Sequence, residues 1–283
     1  MADAATVVRN AFAASAERLQ RHDAAARAGD DPEAIHQARV ATRRLRSDLR
    51  TFRTLLAEGW AGPLRDELGW IADSLGQVRD PDVLAARIES AAQGLDARED
   101  DGVAALMHRL DEQRSAAHER LALDLRSDRY AALVTRVGAA AAEPAFAPAA
   151  TGDAPAVLAP LVRKEWDALR KEVRRLDDEP PDAALHEVRI GAKRVRYACE
   201  AVAPELGEPT ARFAAKVTKL QDVLGEHQDA VVAQEWLRVA AHDDETAAFA
   251  AGQLASHART AAGAARDQWR DTWKAIVKAV PEW

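Results

Sequence analysis

The stretch "HQARVATRRLRSDLR", from His36 to Arg50, carries one His and five Arg, with Asp48 as its only acid. Guanidinium forks bind oxyanions, carboxylate or phosphate, through paired charge-assisted hydrogen bonds. Place His36 at zero on a helical wheel that advances about 100° per residue. Arg39, Arg43, Arg46, Arg50 and Arg53 then fall between about 260° and 340°. They form one stripe with His36 at its edge. Ala38, Ala41, Leu45, Leu49, Phe52 and Leu56 fall between about 140° and 220° and make the core face. Arg44, near about 80°, lies off the stripe. Like charges at this spacing repel by about 0.2–0.5 kcal/mol per pair. A sequence built only for stability would intersperse Glu. Acids on a neighbouring helix, or an anionic ligand, must offset the repulsion.

The stretch is written twice. At a shift of 150, His36, Arg39, Arg43 and Arg46 fall on His186, Arg189, Lys193 and Arg196 of "HEVRIGAKRVRYACE", and Leu19 falls on Leu169. "DSLGQVRD" (Asp73 to Asp80) matches "DVLGEHQD" (Asp222 to Asp229) at a shift of 149. "YAALVTRV" (Tyr130 to Val137) parallels "WKAIVKAV" (Trp273 to Val280) at a shift of 143. Three matches in the same order read as an internal duplication, with a period too long for a solenoid. Val188, Val195, Cys199 and Val202 take the core face of the second copy. Glu200 stands where the first copy has Arg50, so the second stripe is shorter. A single Arg-rich face is usually solvated or paired with acids. A doubled one favours an anion site, with both stripes facing one cleft or pore. His36 and His186 would then face the ligand, donating one hydrogen bond when neutral and two when protonated.

These stripes need helices to hold them. Ala, Leu, Arg and Glu dominate, and apolar residues recur at three- and four-residue spacing. Asp31–Pro32 and Asp80–Pro81 read as helix starts, with Asp as N-cap and Pro at the first position. Another helix begins near Asp182. Gly76 and Gly225 are expected at helix C-termini, and Asp80 and Asp229 as the N-caps that follow. The small, Pro-interrupted stretch 139–156 reads as a linker. It divides one domain, 1–283, into helical halves 1–138 and 157–283. The expected fold is all-α: two antiparallel four-helix bundles related by an internal pseudo-two-fold axis.

The 283 residues are 48% hydrophobic and 30% charged, with formal net charge -7 and pI near 5.7. An acidic total argues against a general nucleic-acid binder, but leaves room for a local basic patch. One cysteine allows no internal disulfide, and Cys199 is assigned to the core. "MADAATVVRN" lacks a signal-peptide pattern, and no apolar run approaches the roughly 18–20 residues that span a bilayer. The expectation is a cytoplasmic protein without membrane contact. Glu33 and His36 have the Glu-x-x-His spacing of di-iron bundles, but Ala183 replaces the Glu in the second copy. "RHD" at His22 and "AHDDE" at His242 lie outside the duplicated positions. No Walker loop, Rossmann fingerprint or nucleophile elbow occurs. No metal, cofactor or catalytic residue is expected. The Trp residues are assigned to packing.

Four segments in order, "IHQARVATRRLRSDLRTF", "LRDELGWIADSLGQVRDPDVL", "LHEVRIGAKRVRYACE" and "KVTKLQDVLGEHQDAVVAQEWL", resemble the CHAD family, the conserved histidine α-helical domain. The resemblance covers nearly the whole chain. It implies two four-helix bundles and binding of inorganic polyphosphate in a basic groove or pore, with association to polyphosphate granules. Carried over, the binding set is His36, Arg39, Arg43, Arg46 and Arg50 with His186, Arg189, Lys193 and Arg196, and Lys219 as an addition. Lys216 shares the helical spacing of Lys219. Many relatives carry a triphosphate tunnel metalloenzyme (CYTH) domain, for which this sequence has no room, so non-enzymatic binding is expected. A polyphosphate phosphohydrolase or transferase, and a nucleic-acid or protein scaffold, remain the alternatives.

Overall fold

The computed structural model describes residues 2–29, 31–243 and 245–283; Asp244 of the "AHDDE" segment lies outside them. Among the described residues the chain is all-α, as expected, with two isolated β-bridges and no strand. The first half holds α1 (Ala4–Ala28), α2 (Pro32–Thr51), α3 (Ala61–Ala92), α4 (Asp100–Arg126) and α5 (Asp128–Ala142). The second holds α6 (Ala154–Val173), α7 (Asp182–Leu206), α8 (Glu208–Asp243) and α9 (Glu245–Val277).

The two basic stretches become α2 and α7, which pack against each other. Asp31 caps α2, its carboxylate accepting from Glu33 N at 2.9 Å with Pro32 in the first turn. Such a cap contributes about 1 kcal/mol. Every residue placed on the core face is buried: Ala38, Ala41, Leu45, Leu49, Phe52 and Leu56 on and just after α2. Val188, Val195, Cys199 and Val202 are buried on α7.

The expected breaks at the "LGxxxD" segments are not there. α3 runs unbroken through Gly76, Asp80 and Pro81, and α8 through Gly225 and Asp229. Gly and Asp–Pro punctuate an isolated helix, but packing can override a local preference of about 1–3 kcal/mol. Leu75, Val78, Leu84 and Ile88 are buried on both sides of Pro81. Both Gly and Asp are thereby placed in mid-helix, where their side-chain positions can form a wall.

The buried residues divide by level as well as by half. The larger core joins α1, α2, α5, α6 and α7 to one end each of α3, α4, α8 and α9. A smaller one, with Leu84, Ile88, Leu106, Leu110, Leu237 and Leu254, joins the far ends of α3, α4, α8 and α9. Gly102 sits at the close approach of α4 to α9, where a Cβ would come within 2.9 Å of Thr246 O. The stretch 139–156, expected to be a linker, is pinned against its surroundings between α5 and α6. Ala139–Ala142 complete α5. Ala57 N donates to Ala145 O at 2.8 Å, and Ala147 N donates to Leu55 O at 2.9 Å.

Candidate functional site: a basic cleft between four helices

α2 and α7 present their stripes to one cleft of about 760 Å³, walled by α3 and α8. α2 contributes Arg39, Arg43 and Arg46, and α7 contributes His186, Arg189 and Lys193. α3 adds Asp73, Asp80 and Arg87; α8 adds Gln228 and Asp229. Six Lys and Arg side chains thus face three carboxylates, and one of the six, Arg87, is held from outside the cleft by Glu226 at 2.6 Å. Of those acids, Asp80 Oδ1 lies 3.2 Å from an Arg39 Nη, at a side chain 70% exposed to solvent. Such an open pair is screened and contributes little.

The crowding has electrostatic consequences. Burial pushes the Lys193 ammonium down to about 7, and Arg43, Arg189 and Arg39 add to the push while Asp229 opposes it. Burial, then Arg43, holds Arg39 below the ordinary guanidinium value. Arg189 is lowered by burial against the pull of Asp229. Asp229 itself is raised by burial, in spite of Arg189 and Arg87. Desolvation therefore outweighs pairing at the buried end of the cleft. An anion entering there would reverse the penalty on the cations.

Helix geometry shapes the walls. The Arg189 guanidinium lies over Gly225, its Nε 3.6 Å from where a Cβ would stand, and Arg46 lies over Gly69 in the same way. Arg189 Nε is buried without a hydrogen-bond partner in the protein. His186 Nδ1 is fixed by Gln228 Oε1 at 2.8 Å, which leaves Nε2 for another partner.

Six of the ten expected site residues are brought together, and four stand elsewhere. His36 lines a separate cleft of about 320 Å³ with Arg79, Asp82, Arg114 and His118. Arg50 is held by Glu165, with an Nη 3.2 Å from Oε2. Arg196 lies 4.6 Å from the centre of the Tyr197 ring, with Nε 3.5 Å from Glu200 Oε1. Lys219 and Lys216 are exposed on α8. Lys219 sits about 80° round the helix from Asp229, off the cleft face. Arg87 was missed by the sequence reading. Its signal was available in Asp73, Gly76, Asp80 and Arg87, spaced by three, four and seven on one helical face. Reading a break at Asp80 hid it.

Residues 10–238 match the CHAD domain family. An uncharacterized Mycobacterium tuberculosis protein, Rv2226, is 32% identical over 284 residues, covering 96% of this chain. A counterpart from a second strain matches equally. The chain spans about half the length of these curated relatives, 53% in each. Among solved structures, PptA from Streptomyces chartreusis superposes with a TM-score of 0.83 at 25% identity. That match covers 96% of this chain and all of PptA. The CHAD domain from the plant Ricinus communis superposes with a TM-score of 0.79 at 27% identity, covering 99% of this chain and 93% of that one. With its family match across most of the sequence and its fold shared with a CHAD domain, the chain belongs to the CHAD domain family.

Proposed function

We propose that the chain is a non-enzymatic binding module that takes inorganic polyphosphate into the cleft between α2, α3, α7 and α8. Membership in the CHAD family fits a polyphosphate-related function. The observation that carries the reading is the surplus of cations in a partly desolvated cleft, with Lys193 pushed to about 7. Such a field favours a ligand of high negative charge density. Arg39, Arg43, Arg46 and Arg189 offer forks to phosphate oxygens, and Lys193 adds charge, while Arg87 is held by Glu226 at 2.6 Å. His186 is oriented by Gln228 to offer Nε2, which donates to a phosphate when protonated. The acidic remainder repels polyanions from other faces and confines them to the cleft. The protein associates with polyphosphate granules through this contact.

The test compares long-chain polyphosphate binding to wild type and to the variant R39E/R43E/R189E/K193E. Affinity should fall by more than about a hundredfold, since each lost phosphate contact costs about 1.5–3 kcal/mol at a charged hydrogen bond. Equal affinity of the two proteins would sink the assignment. Incubation of wild type with polyphosphate and a divalent metal should release no orthophosphate; sustained release would make the cleft an enzyme site.

A further inference from the structure

The basic cleft ends at an ion pair. Its α3 wall runs from Ala72 to Arg87, about 22 Å at the helical rise per residue. Two contacts give the order along that wall. Arg46 lies over Gly69, and Arg39 pairs with Asp80. α2 therefore runs antiparallel to α3, and Arg39 is the last cation it brings to the cleft. Arg87 stands about two turns beyond Asp80, about 10 Å further along α3. A second cavity, of about 530 Å³, lies past it between α3, α8 and α9. Val83, Arg87 and Asp229 line both spaces, so these three side chains form the partition. Glu226 lines the second cavity and not the cleft.

Arg87 crosses from α3 to α8 at this partition. One Nη donates to Glu226 Oε1 at 2.6 Å. The Arg87 side chain is 20% exposed and that of Glu226 52%. Water therefore reaches the carboxylate, and a screened pair of this kind holds its guanidinium weakly. A phosphate group makes the same charge-assisted hydrogen bond and presents a second oxygen to the fork. Arg39 draws its carboxylate, Asp80, from the cleft itself, whereas the partner of Arg87 reaches in from outside.

We infer that Glu226 is a tethered competitor of the ligand for Arg87, and that the exchange between them sets the chain length the cleft engages. A short polyphosphate is satisfied by Arg39, Arg43, Arg189 and Lys193, and the Arg87–Glu226 pair stays closed. A longer chain reaches the partition, takes Arg87 from Glu226 and releases the carboxylate to solvent. The longer ligand gains one more cation at the expense of one ion pair. Glu226 touches no phosphate; it is a positioning residue that acts by withholding Arg87. The inference rests on the polyphosphate reading of the cleft and adds a selection for length to it.

The experiment measures the affinity of the full chain for long-chain polyphosphate and for tripolyphosphate, in wild type, E226Q, R87M and R87M/E226Q. E226Q should tighten the long chain by about fivefold, the upper range of an exposed ion pair. It should also steepen the slope of log affinity against log salt by about one, since one more cation is engaged. Tripolyphosphate affinity should be the same in E226Q as in wild type. Adding E226Q to R87M should leave long-chain affinity unchanged. No tightening in E226Q, equal tightening for tripolyphosphate, or the same tightening in the R87M background would each overturn the inference. The last two are what the loss of a negative charge near any polyanion site produces. The comparison of the two ligands carries the test if R87M does not fold. Wild type that binds no polyphosphate would overturn the reading of the cleft and the inference together; binding without the E226Q gain overturns the inference alone.

Discussion

Arg43 faces the central cleft among Arg39, Arg189 and Lys193, whereas Arg44, one residue on, turns about 100° round α2 and meets Glu200 at 2.7 Å. Arg50 and Arg196 belong with Arg44, for Glu165 holds one and Glu200 with Tyr197 holds the other. Two sets of cations thus lie on the same pair of helices. In one set an acid or a ring answers each cation: α7 and α6 supply it to Arg44 and Arg50, which ties the halves together, and α7 itself supplies it to Arg196. In the other, acids are too few and too exposed or too desolvated, and charge is left over for a ligand. Residue type and spacing are shared; what differs is whether an acid or a ring stands within reach. The lesson is physical: a like-charge stripe costs stability unless something answers it.

The two sets should separate cleanly under mutation. The largest effect is the loss of polyphosphate affinity in R39E/R43E/R189E/K193E, while R50A/R196A should stay within about threefold of wild type, as expected of cations already engaged away from the ligand. Comparable losses in both variants would merge the sets. E165A should instead cost stability, about 1–3 kcal/mol in chemical denaturation, because Glu165 is only 11% exposed and leaves Arg50 half-buried without its partner. Its polyphosphate affinity should hold. No change in stability would demote that pair to a surface contact.

Lys193 gives a pH-dependent prediction. Its folded value of about 7 lies below the ordinary lysine value, so the unfolded chain binds more protons between about pH 7 and 10. The apo protein's stability should gain from Lys193 as pH rises through that window. K193M should be more stable than wild type near pH 7, by about 1 kcal/mol, and should lose this part of the pH dependence. Polyphosphate affinity runs the other way, since the bound anion needs the ammonium: it should weaken as pH rises above 7 in wild type, and less so in K193M. A flat affinity profile in wild type would contradict the placement of Lys193 at the ligand. The smallest effect is on salt dependence. Removing one phosphate-contacting cation, in R43A, should lower the slope of log affinity against log salt by about one, and R50A should leave it unchanged.

Much of this was legible in the sequence because it is local. The wheel of α2 sorted core from stripe, and its six core positions are all buried. The match between α2 and α7 put both stripes in view, and Arg39, Arg43, Arg189 and Lys193 do share a cleft. What was not legible is what depends on other helices. Glu165 lies 115 positions from Arg50, and nothing in either segment announces the pair. The continuity of α3 was masked because Gly76 and Asp80–Pro81 spell a helix boundary when read alone. His36 has the same offset from Arg39 as His186 from Arg189, yet it opens beside Arg79 while His186 meets Gln228. Those two partners occupy matching positions of the "LGxxxD" segments. The difference between a cation and an amide there is what a spacing argument overlooks.

The most direct test is a co-crystal structure of the chain with a short polyphosphate. Phosphate groups should lie between α2 and α7, in contact with Arg39, Arg43, Arg189 and Lys193, with the Arg44–Glu200 and Arg50–Glu165 pairs intact. Phosphates ordered on Arg50, Arg196 or Lys219, with the cleft between α2, α3, α7 and α8 left empty, would contradict the account.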